Sequence, residues 1–213
     1  MKAIDRFPSL LAHLSAWLSC ADPLCPADMI FVLAGRLSRK EYGLEIFHGG
    51  LAPSILFSIA RFEIRRFSKM PLPVPLDLLK LAQDFPPPHR HFFVLFEGRN
   101  VQVEHILPGR FGTLTEIESL ARWLKINPRI HSVLIISSTT HLRRLRLCCR
   151  SLLGAKYALA LAAAPSSSSS SEEEPQDATR STVAALLELF KVLLYWTLLK
   201  FRHLIPSPRQ NLQ

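Results

Sequence analysis

The 213-residue chain has few cysteines, and their arrangement excludes two classes of protein. The four are Cys20, Cys25, Cys148 and Cys149. Neighbours such as Cys148 and Cys149 rarely pair with each other, and the spacing of Cys20 and Cys25 lacks the second Cys/His pair that a zinc site needs. We therefore expect buried free thiols and a reducing compartment, not a disulfide framework or a structural metal.

The chain also lacks the run of about 20 uninterrupted apolar residues that a transmembrane helix needs. The nearest candidate, residues 183–201, carries Glu188 and Lys191 in its middle. Their i, i+3 spacing lets the two charges pair on one face of an amphipathic helix. That leaves four apolar side chains to cover a core or to lie on a membrane surface: Leu187, Phe190, Leu194 and Tyr195.

Phosphate-binding signatures are missing as well. No Walker loop occurs, and nothing matches GxGxxG after the first apolar run, where Gly35 is followed by Arg36. This excludes the common nucleotide fingerprints but leaves one glycine whose amide can approach an anion. A net charge of +9 favours anionic partners. Nucleic acid is the least favoured of these, because the basic segment 141–153 has no interleaved aromatic residues.

Short apolar runs alternate with helical patterns along the chain. The runs lie at 29–34, 53–58, 91–96, 132–136 and 157–162, and helices are expected at 39–47, 76–83, 113–125, 141–153 and 183–201. This alternation predicts an α/β fold, a doubly wound sheet of about five mainly parallel strands with right-handed crossovers. The Gly-containing segment 97–111 is too long for a simple connection, so we expect it to shape a pocket.

The ends of the chain differ in composition from this central part. Residues 1–27 hold an apolar stretch interrupted by polar residues, which favours a helical segment packed on the domain over a signal peptide. The α/β domain is expected at 28–164. A Ser/Glu-rich stretch predicts a disordered linker at 165–180, which separates a C-terminal amphipathic helix at 181–204 from the sheet, and a disordered tail at 205–213.

Polar side chains follow one of the apolar runs and open the helix before it. Because ligands collect at the carboxyl ends of parallel strands, we expect Thr113, Glu116, Ser138 and His141 to meet at one edge of the sheet. Arg144, one turn after His141, is placed to clamp a carboxylate or a phosphate.

Structural roles compete with these functional ones. Thr113 and Glu116 have the spacing of a capping box, and His141 is equally expected at a helix start, satisfied by backbone. A metal site built from Glu97, Glu104 and His105 is less favoured, because loop carboxylates and histidines are far more often solvated. No metal is therefore predicted.

Four stretches, in order along the chain, resemble the motifs of one known family. Residues 28–35 (DMIFVLAG) resemble D-x-I-V-V-L-G-G, and residues 39–58 resemble R-x-x-x-G-x-x-L-x-x-x-G-x-A-P-x-I-x-x-S. Residues 112–116 (GTLTE) resemble (S/N)-T-x-x-E, and residues 135–145 (IISSTTHLRRL) resemble V-T-S-x-x-H-x-x-R-A. The chain is similar in these motifs to the YdcF-like family of domains of unknown function, which includes the SanA and ElyC envelope proteins.

The resemblance implies a Rossmann-like three-layer α/β/α domain whose motif residues gather at the strand ends. Carried over position by position, the ligand-binding candidates are Asp28, Gly35, Arg39, Glu97, Thr113, Ser138 and Arg144, with His141 and Glu116 as acid/base or orienting groups. The chain departs from the pattern at Arg36, which replaces a second glycine, and at Gly112, which replaces Asn or Ser. The N-terminal membrane anchor of the family is missing, so the expected location is cytoplasmic or peripheral to the membrane.

Two functions stay open at this point. The first is an enzyme-type site, a hydrolase or transferase site, that binds a small anionic ligand, phosphorylated or nucleotide-like, at the strand edge in cell-envelope metabolism. The second is a non-catalytic module in envelope biogenesis, held to an anionic bilayer or to a partner by its basic helix and its C-terminal helix. Neither points to a particular cofactor.

Overall fold

The computed structural model describes residues 16–107, 109, 112–165 and 176–201; for residues 176–182 and 184 it describes the backbone only. A six-stranded sheet with the order β4-β3-β2-β1-β5-β6 forms the centre of the molecule. Its strands are β1 (Met29–Val32), β2 (Ser54–Ala60), β3 (His91–Glu97), β4 (Asn100–His105), β5 (Ser132–Ser138) and β6 (Ala158–Ala164). β2, β1, β5 and β6 run parallel, and β3 is antiparallel to both of its neighbours.

Helices cover both faces of this sheet. They are α1 (Leu37–His48), α2 (Ile64–Phe67), α3 (Leu78–Leu81), α4 (Gly112–Ile126), α5 (Leu142–Leu152) and α6 (Gln176–Lys200), with single 3₁₀ turns at Ala82–Asp84, Pro87–His89 and Thr139–His141. Side chains alternate across a strand, so Phe31 of β1 joins one hydrophobic cluster while Ile30 and Val32 join the other. The predicted three-layer, mainly parallel α/β fold is therefore confirmed.

The segment that follows β3 differs from the prediction. The segment 97–111, expected to be a pocket-shaping loop, instead contains β4, which pairs with β3 as an antiparallel hairpin. Gly98, with φ of 58°, lies in the turn between the two strands. The alternation of valines with polar residues in Asn100–His105 was the available signal, because such alternation is typical of a strand with one solvated face.

The described residues nearest the N-terminus pack on α6. Residues 16–18 are helical, and Leu18 packs against Ala185 and Val192 of α6. Residues 19–27, predicted as part of a helical segment, have no regular secondary structure. Residues 1–15 of that segment lie outside the described residues, as do the tail and residues 166–175 of the predicted linker. Residues 176–180, predicted as linker, already belong to α6.

Helix α6 returns to its own domain and is not separated from the sheet as expected. Tyr195 belongs to the hydrophobic cluster that α4 and α5 form on the sheet. The predicted pair of Glu188 and Lys191 is present, with Nζ and Oε1 2.8 Å apart. None of the helices in the described ranges is long and apolar enough to cross a bilayer.

An N-terminal segment covers part of the outer edge of β6. The Asp22 amide donates to the Leu161 carbonyl, and the Asp22 carboxylate accepts from the Leu161 amide at 2.9 Å. Arg146 of α5 holds the same carboxylate at 2.7 Å and also donates to the Cys20 carbonyl. All four cysteines are free. Cys148 and Cys149 are buried as expected, whereas Cys20 is partly exposed and Cys25 is exposed. Burial raises the pKa of the Cys148 thiol to about 12, so this thiol is protonated at neutral pH.

Candidate functional site

Three turns meet at the carboxyl edge of the parallel strands. They follow β1, β2 and β5, which are neighbours in the sheet, and comprise residues 33–36, 60–63 and 139–141. The chain leaves β1 toward β2 on one side, and β5 lies on the other side of β1. This is a topological switch point, where open α/β sheets bind ligands.

Arg39, on the first turns of α1, links two of these turns. Its guanidinium donates to the Ser138 hydroxyl at 2.9 Å, to the Ala34 carbonyl, and to Nδ1 of His141 at 2.7 Å. The side chain is buried, and this desolvation lowers the pKa of Arg39, whereas the charges of Glu116 and Glu63 raise it. The structure thus brings Arg39, Ser138 and His141 together as predicted, but their hydrogen bonds are made to one another.

The loop after β1 is held by a buried ion pair. Gly35 has φ of 134°, a conformation that favours glycine, and its amide donates to Glu63 Oε1 at 2.7 Å. The same oxygen accepts from Lys40 Nζ, while Glu63 Oε2 accepts from the Ala60 amide. Lys40 also donates to the Leu33 carbonyl. The Gly35 amide, expected to face an anionic ligand, is therefore satisfied by an internal carboxylate.

Sequence reasoning missed Lys40 and Glu63. Both are charged residues in segments rich in charge, where solvation is the ordinary expectation. The available signal was position: Lys40 directly follows Arg39 on α1, and Glu63 comes three residues after the end of β2. Burial lowers the pKa of Lys40 while the neighbouring Glu63 raises it.

Glu116 does not cap its own helix. Its Oε1 accepts from the Ala34 amide at 2.8 Å, so it holds the same loop from the other face of the sheet. Burial raises the pKa of Glu116, opposed by hydrogen bonds with the Ser58 hydroxyl and the Ala34 amide. The capping-box prediction is wrong for this side chain, since the tertiary contact with β1 replaces the local one.

A chain of hydrogen bonds continues from Glu116 into the core. The Ser58 oxygen lies 2.8 Å from Nε2 of His91, and burial lowers the pKa of His91 to about 4. The Ser58 hydroxyl has one hydrogen for its two partners, Glu116 and His91, so it donates to one of them and accepts from the other. Like Lys40 and Glu63, His91 was not predicted as part of this site.

The hydrogen bonds of His141 determine which nitrogen carries its proton. Nδ1 faces Arg39, which can only donate, so Nδ1 is an acceptor. Nε2 therefore carries the hydrogen and points to Oε1 of Glu188 at 3.3 Å. Burial lowers the pKa of His141, although the hydrogen bond and charge of Glu188 raise it. The ring is neutral at pH 7 with both nitrogens engaged, so in this conformation it is placed to orient neighbouring groups, and Nδ1 is not free to accept a proton from a substrate.

Helix α6 supplies Glu188 to this edge of the sheet. Its Oε2 accepts from Arg144 at 2.8 Å, and its Oε1 accepts from Lys191 at 2.8 Å. Burial raises the pKa of Glu188, but hydrogen bonds from His141 and Lys191 and the charge of Arg144 lower it to about 2. Arg144 was expected to clamp an external anion, and in the structure it clamps this carboxylate instead.

Two further contacts connect α6 to predicted site residues. The Arg144 guanidinium lies 5.4 Å from the ring centroid of Tyr195, and the Tyr195 phenol hydrogen-bonds to the Thr113 side chain. Thr113 and Arg144 therefore belong to the surface of the domain on which α6 packs. A separate opening is lined by Gly35, Arg39 and His141.

That opening is a cavity of about 320 Å³ at the carboxyl edge of β1. Its wall includes Gly35, Arg39 and His141, and its rim includes Arg36 and Arg66. Both rim arginines are exposed, and among the described residues neither has an ion pair or a side-chain hydrogen bond. Phe62, 70% exposed, adds an aromatic surface to the same rim.

Asp28 and Glu97 lie at the opposite edge of the sheet. Asp28 precedes β1, and its carboxylate accepts the amides of His131 and Ser132, hydrogen bonds that lower its pKa. Glu97 ends β3 opposite Ser54 at the start of β2, and it pairs with an exposed arginine, Arg129. Because β3 is antiparallel, its carboxyl end lies at the same edge as the amino ends of the parallel strands, where Asp28 precedes β1. The two acids therefore do not join the predicted site.

No group of three or more potential metal ligands occurs among the described residues. His105, considered above with Glu97 and Glu104, stacks on the ring of Phe85 with centroids 4.3 Å apart. Its Nε2 lies 2.6 Å from the His89 carbonyl oxygen. These contacts give His105 a structural role at the edge of the hairpin.

Comparison of the chain with models of known protein families, with curated proteins and with solved structures finds no match.

Proposed function

We propose that the chain binds a small anionic, phosphorylated ligand in the cavity at the carboxyl edge of β1. The observation that carries this proposal is the pair of exposed arginines, Arg36 and Arg66, on the rim of a concave site at the switch point of the sheet. Arg binds phosphate through several parallel hydrogen bonds, and these two guanidinium groups are free of partners among the described residues.

The size and lining of the cavity agree with a small organic phosphate. About 320 Å³ lies at the lower end of the range for small-molecule pockets. Phe62 provides exposed apolar surface for an organic moiety, while Arg36 and Arg66 face its charged part. Lys40 and Glu63 also line the cavity, but they are buried and paired with each other, so in this proposal they hold the loop in place and the rim arginines contact the ligand.

The resemblance to the YdcF-like family adds the class of process. It suggests a phosphorylated intermediate of cell-envelope metabolism as ligand, and the basic character of the chain is compatible with such an anion. We propose binding and positioning as the role of the site. His141 offers an ordered ring at the wall, and Glu116 lies behind the loop, so neither is assigned a proton-transfer step.

Thermal-shift and calorimetric titrations test the proposal with inorganic phosphate, pyrophosphate, sugar phosphates, nucleotides and a polyprenyl phosphate. We expect at least one phosphorylated compound to raise the melting temperature of the wild-type protein. The Arg36→Gln/Arg66→Gln variant is expected to lose affinity by at least about 100-fold, because each of the two charged hydrogen-bonding contacts contributes about 1.5–3 kcal/mol.

A matched control is available in the same segment. Arg61 and Arg65 are exposed arginines outside the cavity, so Arg61→Gln/Arg65→Gln removes the same charge without touching the rim. We expect this variant to bind like the wild type. Equal losses in both variants would mean that net charge attracts the compounds, and no shift with any compound would refute the proposal.

A further inference from the structure

Helix α6 has two faces of different character. Its inner face packs on the domain through Ala185, Glu188, Val192 and Tyr195, which are all buried. Large apolar side chains on its outer side are 39–66% exposed: Val183, Leu186, Leu187, Phe190, Leu193, Leu194 and Trp196. A contiguous apolar surface of this kind on a folded domain marks an interaction site.

Among the described side chains of α5 and α6, the exposed charges around this outer face are positive. Glu188, the acidic residue among the described side chains of α6, is buried against Arg144. The adjacent helix α5 has no acidic residue and exposes Arg150. Lys200, at the end of α6, lies 4.9 Å from the ring centroid of Trp196. The apolar face is therefore bordered by cations.

A groove between α5, α6 and the N-terminal segment continues this surface. It has a volume of about 410 Å³, and its lining includes Trp17, Trp196, Arg143 and Arg150. The Arg143 guanidinium stacks 4.3 Å from the Trp17 ring centroid and donates to the Trp17 carbonyl. Tryptophan and arginine side by side are typical of surfaces that lie at the boundary between water and lipid.

We propose that the outer face of α6, together with the groove beside it, docks on the surface of an anionic lipid bilayer. The helix lies in the plane of the interface, with Phe190 and Trp196 among the acyl chains and Arg150 and Lys200 at the headgroups. Each cation near such a surface contributes about 1 kcal/mol of attraction. A bilayer is the occupant chosen because the apolar strip is long and continuous and the described side chains of α5 and α6 that border it are basic, which complements an anionic plane.

The docked orientation leaves the inner face of α6 in place. Glu188 stays on His141 and Arg144, so docking does not require the domain to open. This inference is independent of the proposed ligand, since none of its residues lines the cavity at β1.

Flotation of the purified full-length chain with vesicles tests the docking. One set of vesicles is phosphatidylcholine alone, and the other contains phosphatidylglycerol as well. We expect the wild type to float with the anionic vesicles and to be released as the salt concentration rises. The Phe190→Ser/Trp196→Ser variant is expected to partition at least tenfold less, because two large apolar side chains no longer enter the bilayer. The Arg150→Gln/Lys200→Gln variant should bind the vesicles with phosphatidylglycerol more weakly, whereas its binding to vesicles of phosphatidylcholine alone should be unchanged.

The controls use residues of the same type elsewhere on the surface. Ile126 is 72% exposed at the end of α4, so Ile126→Ser removes an apolar side chain without touching the docking face. Arg61→Gln/Arg65→Gln serves as the control for charge. Both should float like the wild type, and far-ultraviolet circular dichroism checks that every variant is folded.

Three results would overturn the inference. Absence of flotation with anionic vesicles removes it directly. Equal binding to neutral vesicles would mean that the basic border plays no part. Sedimentation showing a dimer that Phe190→Ser/Trp196→Ser converts to a monomer, with no flotation, would assign the face to a second copy of the chain.

Discussion

Replacing Glu188 by Gln is expected to destabilise the protein strongly through a single lost charge. Gln has nearly the same shape and still accepts one hydrogen bond, but Arg144 and Lys191 lose their counter-charge. Only 8% of the Arg144 side chain is exposed, so its guanidinium would be left unpaired in a low-dielectric site.

Two lines of reasoning give the magnitude of this loss. Removing one partner of a buried ion pair ordinarily costs about 3–5 kcal/mol. The depression of the pKa of Glu188 from 4.5 to about 2 corresponds to about 3 kcal/mol in favour of the charged carboxylate. We therefore expect Glu188→Gln to lower the free energy of unfolding by about 3 kcal/mol at pH 7. The loss of stability has an upper limit, because α6 can detach from the domain instead of leaving the charge of Arg144 buried and unpaired.

The effect of Glu188→Gln also has a defined pH dependence. The folded-state pKa lies below the unfolded one, so the contribution of the carboxylate is complete above about pH 4.5 and is lost as the pH falls toward 2. The difference between wild type and variant should shrink over that range. Urea denaturation at several pH values, followed by tryptophan fluorescence and circular dichroism, measures it.

Lys191→Gln is the matched control for the same carboxylate. Lys191 also contacts Glu188, but its side chain is 47% exposed, so its loss should cost less than about 1 kcal/mol. A Glu188→Gln protein within about 0.5 kcal/mol of the wild type at pH 7 would refute the reasoning, because the buried pair with Arg144 would then contribute no more than a surface contact.

Three further predictions concern buried residues in and around the sheet. The buried imidazole of His91 has its pKa lowered from 6.5 to about 4, so stability should fall by about 3 kcal/mol as the pH drops through that range, and denaturation of His91→Gln should lack this dependence. A Cβ on Gly43 would lie 2.6 Å from Cγ2 of Val32, so Gly43→Ala should cost about 1–3 kcal/mol, and Val32→Ala in the same chain should recover part of it in thermal unfolding. Lys40→Met leaves the buried Glu63 unpaired and should cost about 3–5 kcal/mol, whereas adding Glu63→Gln should cost less than the sum of the single changes in a double-mutant cycle.

The sheet was largely predictable from sequence because its central strands are buried on both faces. Such strands appear as continuous apolar runs, and residues 29–32 and 132–136 illustrate the rule. The hairpin was missed because β4 is an edge strand, and its weaker alternation of valines with polar residues competes with the turn signal at Gly98. The direction of β3 is a tertiary property, and the sequence pattern of one strand does not reveal it.

The candidate site was predictable only in part. Thr113 and Glu116 were expected to meet Ser138 and His141, and the family resemblance added Arg39. The structure joins Arg39, Ser138 and His141 by hydrogen bonds, whereas Glu116 bonds to the loop after β1 and Thr113 to α6.

The pairing of Arg144 with Glu188 was not expected, because 44 residues and a low-complexity stretch separate the two. The apolar side chains expected to share one face of α6 are divided in the structure: Tyr195 is buried on the domain, whereas Leu187, Phe190 and Leu194 are exposed. Local periodicity also does not predict that Glu188 lies on the buried side and contacts Arg144.

The segment around Asp22 has a consequence for solubility. β6, with the sequence ALALAAA, is the last strand of the sheet, and an uncharged apolar edge of this kind invites pairing with the same edge of another molecule. Asp22 occupies both hydrogen-bonding groups of Leu161 at the middle of that edge and places a carboxylate there. Arg146 holds the carboxylate in position, so this edge is blocked against pairing with a strand of another molecule and against growth of the sheet into fibrils.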